Sequence, residues 1–298
     1  MNFMIRQKYS YFDLRQIAAS GQCFRMTETG PGQFFVVSKD HALTVSQDGE
    51  SLSFSCPEEE FPFWENYFDL KADYGQYQAS IDPEDSYLLA AAQAGRGIRI
   101  LRQDPWEMII TFVISQQKTI PKIREAVERL SAMYGHPIPG SHGPVYAFPS
   151  PEELNRASLD ELQKLKLGYR AKYIKRLCEN AAEGFLDPEK LKTMDFDAAM
   201  EYLTGFYGIG VKVASCICLF GLHHIDAFPV DTWIQKILLE EYYPRNPQKY
   251  DVLPKSGLFP AIVRDFFGQY RGCAGVMQQY IFYYERLRQK KIKKGESL

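Results

Sequence analysis

No apolar run in the chain is long enough to cross a bilayer. The longest uncharged one, MIITFVI at 108–114, falls far short of the ~20 residues a spanning helix needs. MNFMIRQKYSYF does not open with the basic-then-apolar pattern of a secretory signal, so an intracellular protein without a membrane partner is expected. Cysteine is sparse. The six residues, at 23, 56, 178, 216, 218 and 273, include one C-x-C pair and no zinc or iron–sulfur spacing. Cys216 and Cys218, two apart on an expected helix, point in different directions. No metal or cofactor is expected, and free thiols fit a reducing compartment. Excess charge is also lacking, with 35 Lys and Arg against 37 Asp and Glu. That balance conceals an asymmetry: residues 1–100 carry 8 basic and 14 acidic side chains, net −6, and the remainder carries 27 and 23, net +4. A surface for a polyanion must therefore be local and lie mainly beyond residue 100.

What is present is a chain of 298 residues in two unlike parts. Between Gln22 and Cys56, short alternating runs (FFVVS, ALTVS, SLSFSC) are separated by the turn signals GPG, SKD and QDGE, the pattern of an antiparallel meander. Helical periodicity takes over in PFWENYFDL and DPEDSYLLAAAQAG and continues to the C-terminus. The expected class is α+β, with a β-rich domain over 1–100 and a helical domain over 101–298. Helices are expected near 104–117, 120–134, 151–166, 170–184, 195–205, 211–222, 231–243, 258–270 and 273–292. Asp104-Pro105, Ser150-Pro151 and Asp231 offer cap chemistry at their starts, and Gly135, Gly168 and Gly221 mark ends. The tail KKIKKGESL is expected to be frayed and solvated.

The stretch GFYGIGVKVASCICLFGLHHIDAFPVDTWI, residues 205–234, carries the most chemistry. FYGIG leaves room only for a tight turn between two helices, where Gly208 and Gly210 permit positive φ and close approach by another backbone. The N–H groups of the next helix's first turn lack partners and suit a phosphate oxygen. Lys212 then stands in the first turn of an otherwise apolar helix, where a cation opposes the helix dipole. A lysine in such a setting is one route to a Schiff-base nucleophile. Asp231, after Pro-Val and before Thr-Trp-Ile, reads as a helix cap; a carboxylate facing Lys212 could also stabilise positive charge developing on a substrate. Cys216 lies four residues after Lys212, and Phe282 four after Gln278, so each pair shares a helical face.

GFYGIGVKVASCICLF followed by AFPVDTW resembles the helix-hairpin-helix DNA glycosylases with their Gly/Pro-Asp element, and within them the 8-oxoguanine DNA glycosylases. SGQCFR, RILRQDPWE, KLKLGYRAKYI and AGVMQQYIFY extend the resemblance in family order over nearly the whole chain. It implies an enzyme that is glycosylase and AP lyase in one, acting as a monomer on duplex DNA containing 8-oxoguanine. Lys212 would attack C1′ of the damaged nucleotide to form a Schiff base that undergoes β-elimination, with Asp231 stabilising the oxocarbenium-like sugar. Cys216 and Phe282 would sandwich the flipped base, Gln278 would read its Watson–Crick edge, and the Gly21 carbonyl would read the N7–H that distinguishes the lesion from guanine. Tyr169 would fill the gap left in the duplex, and Arg170 would contact the orphaned partner base.

Two positions depart from the family pattern. Gln117 stands where an asparagine binds the orphaned base, and Lys122 stands for an arginine that recognises the opposite cytosine. Lysine lacks arginine's planar two-pronged donor geometry, so weaker discrimination of the opposite base is expected. Trp233, where many members carry histidine, is assigned to packing. The alternatives are an alkylated-base glycosylase, which typically lacks the lysine, and a non-catalytic hairpin module that only grips phosphates. The iron–sulfur endonuclease branch is disfavoured because its C-terminal four-cysteine cluster has no counterpart here.

Overall fold

The structure is a computed structural model that describes residues 4–139 and 143–294, the side chains of 290–294 excepted. Five strands, β1 (Ile5–Lys8), β2 (Met26–Gly30), β3 (Gln33–Ser38), β4 (His41–Asp48) and β5 (Ser51–Ser55), form one antiparallel sheet in the order β1-β5-β4-β3-β2. The three turn signals fall at the three hairpin connections from β2 to β5. The period of two puts Phe34, Val36, Leu43, Val45, Leu52 and Phe54 on one face, where all are buried. Helices α1 (Leu14–Ala19) and α2 (Phe61–Tyr67) cover that face, with Trp64 fully enclosed. β1 has no counterpart in the sequence reading, because IRQK shows no apolar alternation. It is an edge strand held to β5 by its backbone, with three of its four residues exposed.

The helical part runs α3 (Tyr74–Ala79), α4 (Ser86–Ala94), α5 (Pro105–Ser115), α6 (Ile120–Tyr134), α7 (Pro151–Asn155), α8 (Leu159–Lys164), α9 (Arg170–Ala182), α10 (Pro188–Leu191), α11 (Phe196–Thr204), α12 (Val211–Phe220), α13 (Thr232–Ile237), α14 (Pro247–Tyr250), α15 (Lys255–Phe267) and α16 (Ala274–Lys294). Tyr74 and Leu88, from α3 and α4, belong to the core of this part rather than to the core under the sheet. Two helices are apolar nearly all round, α5 from Pro105 to Ile114 and α12 from Val213 to Phe220, and both are buried along those stretches, as such sequences require. They pack on each other through Phe112 and Phe220, whose rings stack at 5.4 Å. Gln103 N donates to Phe220 O while Lys212 Nζ lies over the Phe112 ring, so the two helices run antiparallel and the C-terminal end of α5 lies beside the first turn of α12.

Several expected helices are differently divided. The span 151–166 is two helices, because Ser158 opens a second capping box with Glu161 and stops α7 from continuing. The span 231–243 is α13 followed by a π-helical turn, Leu238–Tyr242. α15 begins at Lys255 and contains Pro260, so it starts three residues before the expected position. The single-turn helices α10 and α14 were not anticipated, since four residues are too few to show periodicity. At the C-terminus α16 is helical to Lys294, and residues 295–298 of the expected frayed tail lie outside the described residues.

Candidate active site

α11 and α12 are joined by the hairpin 205–210. Gly208 takes φ +94, and a Cβ built there would sit 2.5 Å from Cγ of Tyr173, so the turn needs glycine both for its conformation and for the ring packed on it. Gly210 differs: φ is −91 and nothing lies within 4 Å of a built Cβ. Its glycine answers no demand of the folded chain and leaves open space before the N-terminus of α12. As the N-cap of α12, Gly210 also supplies no side-chain cap, so the first-turn N–H groups face outward without one.

Lys212 follows in that first turn, half-buried, its Nζ 5.6 Å from the centre of the Phe112 ring. Asp231 is the N-cap of α13; its Oδ1 accepts from Trp233 N at 3.0 Å and Ile234 N at 2.9 Å. The cap therefore holds one carboxylate oxygen, and Oδ2 has no hydrogen bond among the described residues. Lys212 and Asp231 line the same cleft of about 1010 Å³, together with Gly21, Gln117 and Phe282. A smaller recess of about 50 Å³ shares Gly21, Phe112, Lys212, Asp231 and Phe282 with that cleft and adds Cys216 and Gln278. Seven of the expected residues, from five separate chain segments, thus converge on one continuous space. Trp233, assigned above to packing, is 37% exposed and stands at the cleft mouth.

The recess is narrow. A volume of 50 Å³ accommodates only about three or four water-sized spheres, far less than a purine. Cys216 is buried, and burial pushes its thiol up, with the Lys212 ammonium pulling it the other way. Gln278 is buried and engaged at both ends of its amide: Nε2 donates to Pro229 O at 3.1 Å, and Oε1 accepts from Gln279 Nε2 at 2.9 Å. Each end retains one further hydrogen-bonding position. Gly21, with φ +85, lies under Phe282; a built Cβ would meet Phe282 Cε1 at 3.3 Å. Behind Gly21 the side chain of Gln22, fully buried, bonds Ser20 Oγ, Arg99 O and Leu101 N, locking the loop to the next segment.

The remaining expected residues lie around the rim, and not all face outward. Tyr169 is 42% exposed and begins a ladder of edge-on rings, 5.5 Å to Tyr173 and then 4.8 Å to Tyr207. Arg170 is buried, its guanidinium 4.4 Å over the Tyr169 ring and donating to Leu167 O and Gln116 O. It braces the rim from within and does not project from it. Lys122 is exposed, paired with Glu125 at 3.2 Å, and does not line the cleft. Gln117 sits at the tip of its loop in the left-handed region, φ 51.

Sequence reasoning gave no individual role to Gln116 or Lys118. Gln116 Nε2 donates to Gly208 O at 2.9 Å while its carbonyl accepts from Arg170, so one residue ties the hairpin to the start of α9. Lys118 donates to Lys166 O at 3.0 Å and lines the cleft; burial and the neighbouring cations Arg170 and Lys122 lower its ammonium from the ordinary lysine value. A separate cavity of about 540 Å³ lies elsewhere, among Asp104, Glu107, His136 and Glu152, and contains none of the expected residues.

The chain matches two known families in succession. Residues 4–109 match "8-oxoguanine DNA glycosylase, N-terminal domain", and residues 110–255 match "HhH-GPD superfamily base excision DNA repair protein". An N-glycosylase/DNA lyase of Saccharomyces cerevisiae is 36% identical over 49% of this chain, an alignment that spans only 42% of the yeast protein. The N-glycosylase/DNA lyase OGG1 of Arabidopsis thaliana is 28% identical over 97% of the chain and 82% of its own length. The Clostridium acetobutylicum 8-oxoguanine glycosylase/lyase, solved with double-stranded DNA containing cytosine opposite 8-oxoG, is 31% identical. It superposes with a TM-score of 0.86 over 97% of this chain and 99% of that one. With both halves matched in order and the fold shared end to end, the chain belongs to the 8-oxoguanine DNA glycosylase family of the helix-hairpin-helix superfamily.

Proposed function

We propose that the protein is a bifunctional DNA glycosylase and AP lyase that extrudes 8-oxoguanine from duplex DNA, releases it through a lysine Schiff base, and cleaves the strand 3′ to the abasic site. The observation that carries this reading is the convergence of Lys212, Asp231, Gly21, Cys216, Gln278 and Phe282 on one cleft and its recess. An alkylated-base glycosylase or a phosphate-gripping hairpin module would have no use for the amine in that cleft.

In this reading the Lys212 amine attacks C1′ of the extruded nucleotide. The bond from C1′ to the base breaks, its electron pair leaves with the base, and the base takes up a proton. Positive charge developing on the sugar is stabilised by the Asp231 carboxylate, which the α13 cap holds in a fixed orientation. The aminal at C1′ becomes a Schiff base when nitrogen loses a proton and the C1′–O4′ bond breaks, O4′ taking up a proton; the Schiff base acidifies C2′–H, and loss of that proton expels the 3′ phosphate. Cys216 and Phe282 hold the two faces of the base, Gln278 its Watson–Crick edge, and Gly21 O its N7–H.

The unobstructed space at Gly210 supports a phosphate seated on the first-turn N–H groups of α12. The exposure of Tyr169 supports its insertion into the duplex, offsetting the few kcal/mol that extrusion costs. Arg170 would have to release two carbonyls to reach a partner base, which supports a bracing role in the unbound protein. Six free, buried cysteines support an intracellular, reducing location, and we take the acting species to be a monomer.

Borohydride trapping tests the proposal. Incubation with an 8-oxoguanine duplex should give a covalent adduct that Lys212→Gln abolishes. An adduct persisting in that variant would remove Lys212 as the nucleophile. Neither adduct nor cleavage with the wild type would leave only the binding module.

A further inference from the structure

The element that carries Gly21 is held in an unusual way. α1 ends at Ala19, and its last carbonyls point to two arginines from distant helices. Arg124 of α6 donates from Nη2 to Ala18 O at 2.9 Å, and Arg286 of α16 donates from Nη1 to Ala19 O at 2.7 Å. The two guanidinium groups are close enough to repel each other, so the carbonyls hold together two cations that would otherwise separate. Arg286 does more than close the helix end. Its guanidinium lies 5.5 Å over the Phe282 ring, it lines the cleft, and a Cβ at Gly21 would come within 3.5 Å of its Nη1. One side chain thus touches the stretch bearing the lesion-reading carbonyl and the ring that stacks on the base.

We infer that Arg286, with Arg124 behind it, is a positioning residue for lesion discrimination: it sets the distance between the Gly21 loop and Phe282, and so the register of the Gly21 carbonyl against N7 of the flipped base. The inference rests on the proposed role of the Gly21 carbonyl. Guanine and 8-oxoguanine differ at N7 by a donor in place of a lone pair. The same carbonyl attracts one and repels the other only if it cannot retreat. A small displacement lets the carbonyl relax away from guanine and lengthens its bond to the lesion, and reading groups need placement within about 0.5 Å. The peptide of Ala19 precedes Gly21 by two residues, so fixing its carbonyl fixes the plane from which the Gly21 loop departs. The buried Gln22 network holds the other side of the loop, leaving the arginine side as the one that faces the base.

Single-turnover rates on three duplexes test this: 8-oxoguanine opposite C, guanine opposite C, and a preformed abasic site opposite C, which has no base to read. Arg286→Met should slow excision of 8-oxoguanine by about tenfold or more, the loss expected for one charge-assisted hydrogen bond, while cleavage at the abasic site stays within about twofold of wild type. The preference for 8-oxoguanine over guanine should shrink in the same variant. Arg286→Lys, which can reach Ala19 O but cannot lie flat over Phe282, should restore part of the loss. Arg124→Met, further from the base, should show the same pattern more weakly, and it carries the test if Arg286→Met does not fold. Equal loss on the lesion and abasic duplexes would mean a general structural role and overturn the inference, as would an unchanged preference for 8-oxoguanine in both Met variants. Absence of any preference in the wild type would instead overturn the reading of Gly21 on which the inference rests.

Discussion

The hairpin's two glycines should separate fold from function. Replacing Gly208 by alanine forces a Cβ onto φ +94 and drives it to 2.5 Å from Cγ of Tyr173. The left-handed conformation alone costs about 1–2 kcal/mol for a residue with a Cβ. Tyr173 must also swing away, weakening its edge contacts with Tyr169 and Tyr207. Such pairs contribute about 0.5–1.5 kcal/mol each, the lower end applying to exposed rings. Gly208→Ala should therefore lose about 2–4 kcal/mol of stability in urea unfolding. Gly210→Ala meets neither obstacle, and exchanging glycine for alanine at an N-cap should cost no more than about 1 kcal/mol. If a phosphate approaches the hairpin at that open position, however, the added methyl stands in its path. Affinity for an uncleavable abasic-analogue duplex, followed by fluorescence anisotropy, should fall at least about tenfold, or about 1.4 kcal/mol. A Gly210→Ala protein that binds this duplex as wild type does would refute the reasoning, since the space in front of α12 would then not be where the backbone sits.

Other outcomes follow from the same structure. Lys122 is exposed, paired with Glu125 and outside the cleft, so excision rates from 8-oxoguanine opposite C, A and T should differ by less than about tenfold, the loss of one bidentate contact; a steep preference for C would contradict this. Burial pushes the Glu107 carboxyl up to about 7. An acid raised in the folded state binds its proton more tightly there than when unfolded, so its contribution to stability falls as pH rises from about 4.5 to 7 and is fully lost above. Glu107→Gln should remove that slope, leaving the variant up to about 3 kcal/mol more stable than wild type near pH 8; parallel stability–pH curves for the two proteins would contradict it. Gly21→Ala places a Cβ at φ +85 and 3.3 Å from Phe282; it should lose base excision while retaining cleavage of abasic sites, measured on the two duplexes side by side.

How far the sequence reaches depends on whether a feature is written in local pattern. The meander from β2 to β5 was legible because period-two burial and turn residues are local properties; β1 was not, since its place depends on a backbone edge offered by β5. The caps at Asp104, Ser150 and Asp231 were readable for the same local reason, and the break at Ser158 could have been read from its capping box. In the cleft, Lys212 stood out because a cation opposes the dipole of an apolar helix, and the i, i+4 pairs gave shared faces. What brought these faces together was the packing of α5 on α12 and the approach of α16, which no local pattern encodes. Gln116, Lys118, Arg124 and Arg286 were missed in consequence: each bonds a carbonyl from a distant segment, and a long polar side chain on a helix looks the same in sequence whether it faces water or another backbone.

The narrow recess bears on how one atom's difference can be read. At about 50 Å³ it is smaller than a purine, so its lining, Cys216 and Phe282 included, has to widen for a base to be held there. The energy for that opening cannot come from the lesion's distinguishing hydrogen, since a single hydrogen bond is worth about 0.5–1.5 kcal/mol net. In the proposed function it comes from contacts made regardless of the base, a phosphate at the hairpin and Tyr169 in the duplex. Guanine and 8-oxoguanine then face the same opening, and the difference between them is confined to the last contact. With Gly21 O as the proposed reader, the lesion gives it a partner, whereas guanine sets a lone pair against the carbonyl with no water to separate them, a mismatch costing about 1–3 kcal/mol more. A loose slot would let water or movement relieve that mismatch and would erase the distinction. In the proposed reading the narrow recess and the arginine-held Gly21 loop serve one requirement: the reading carbonyl must have nowhere to go.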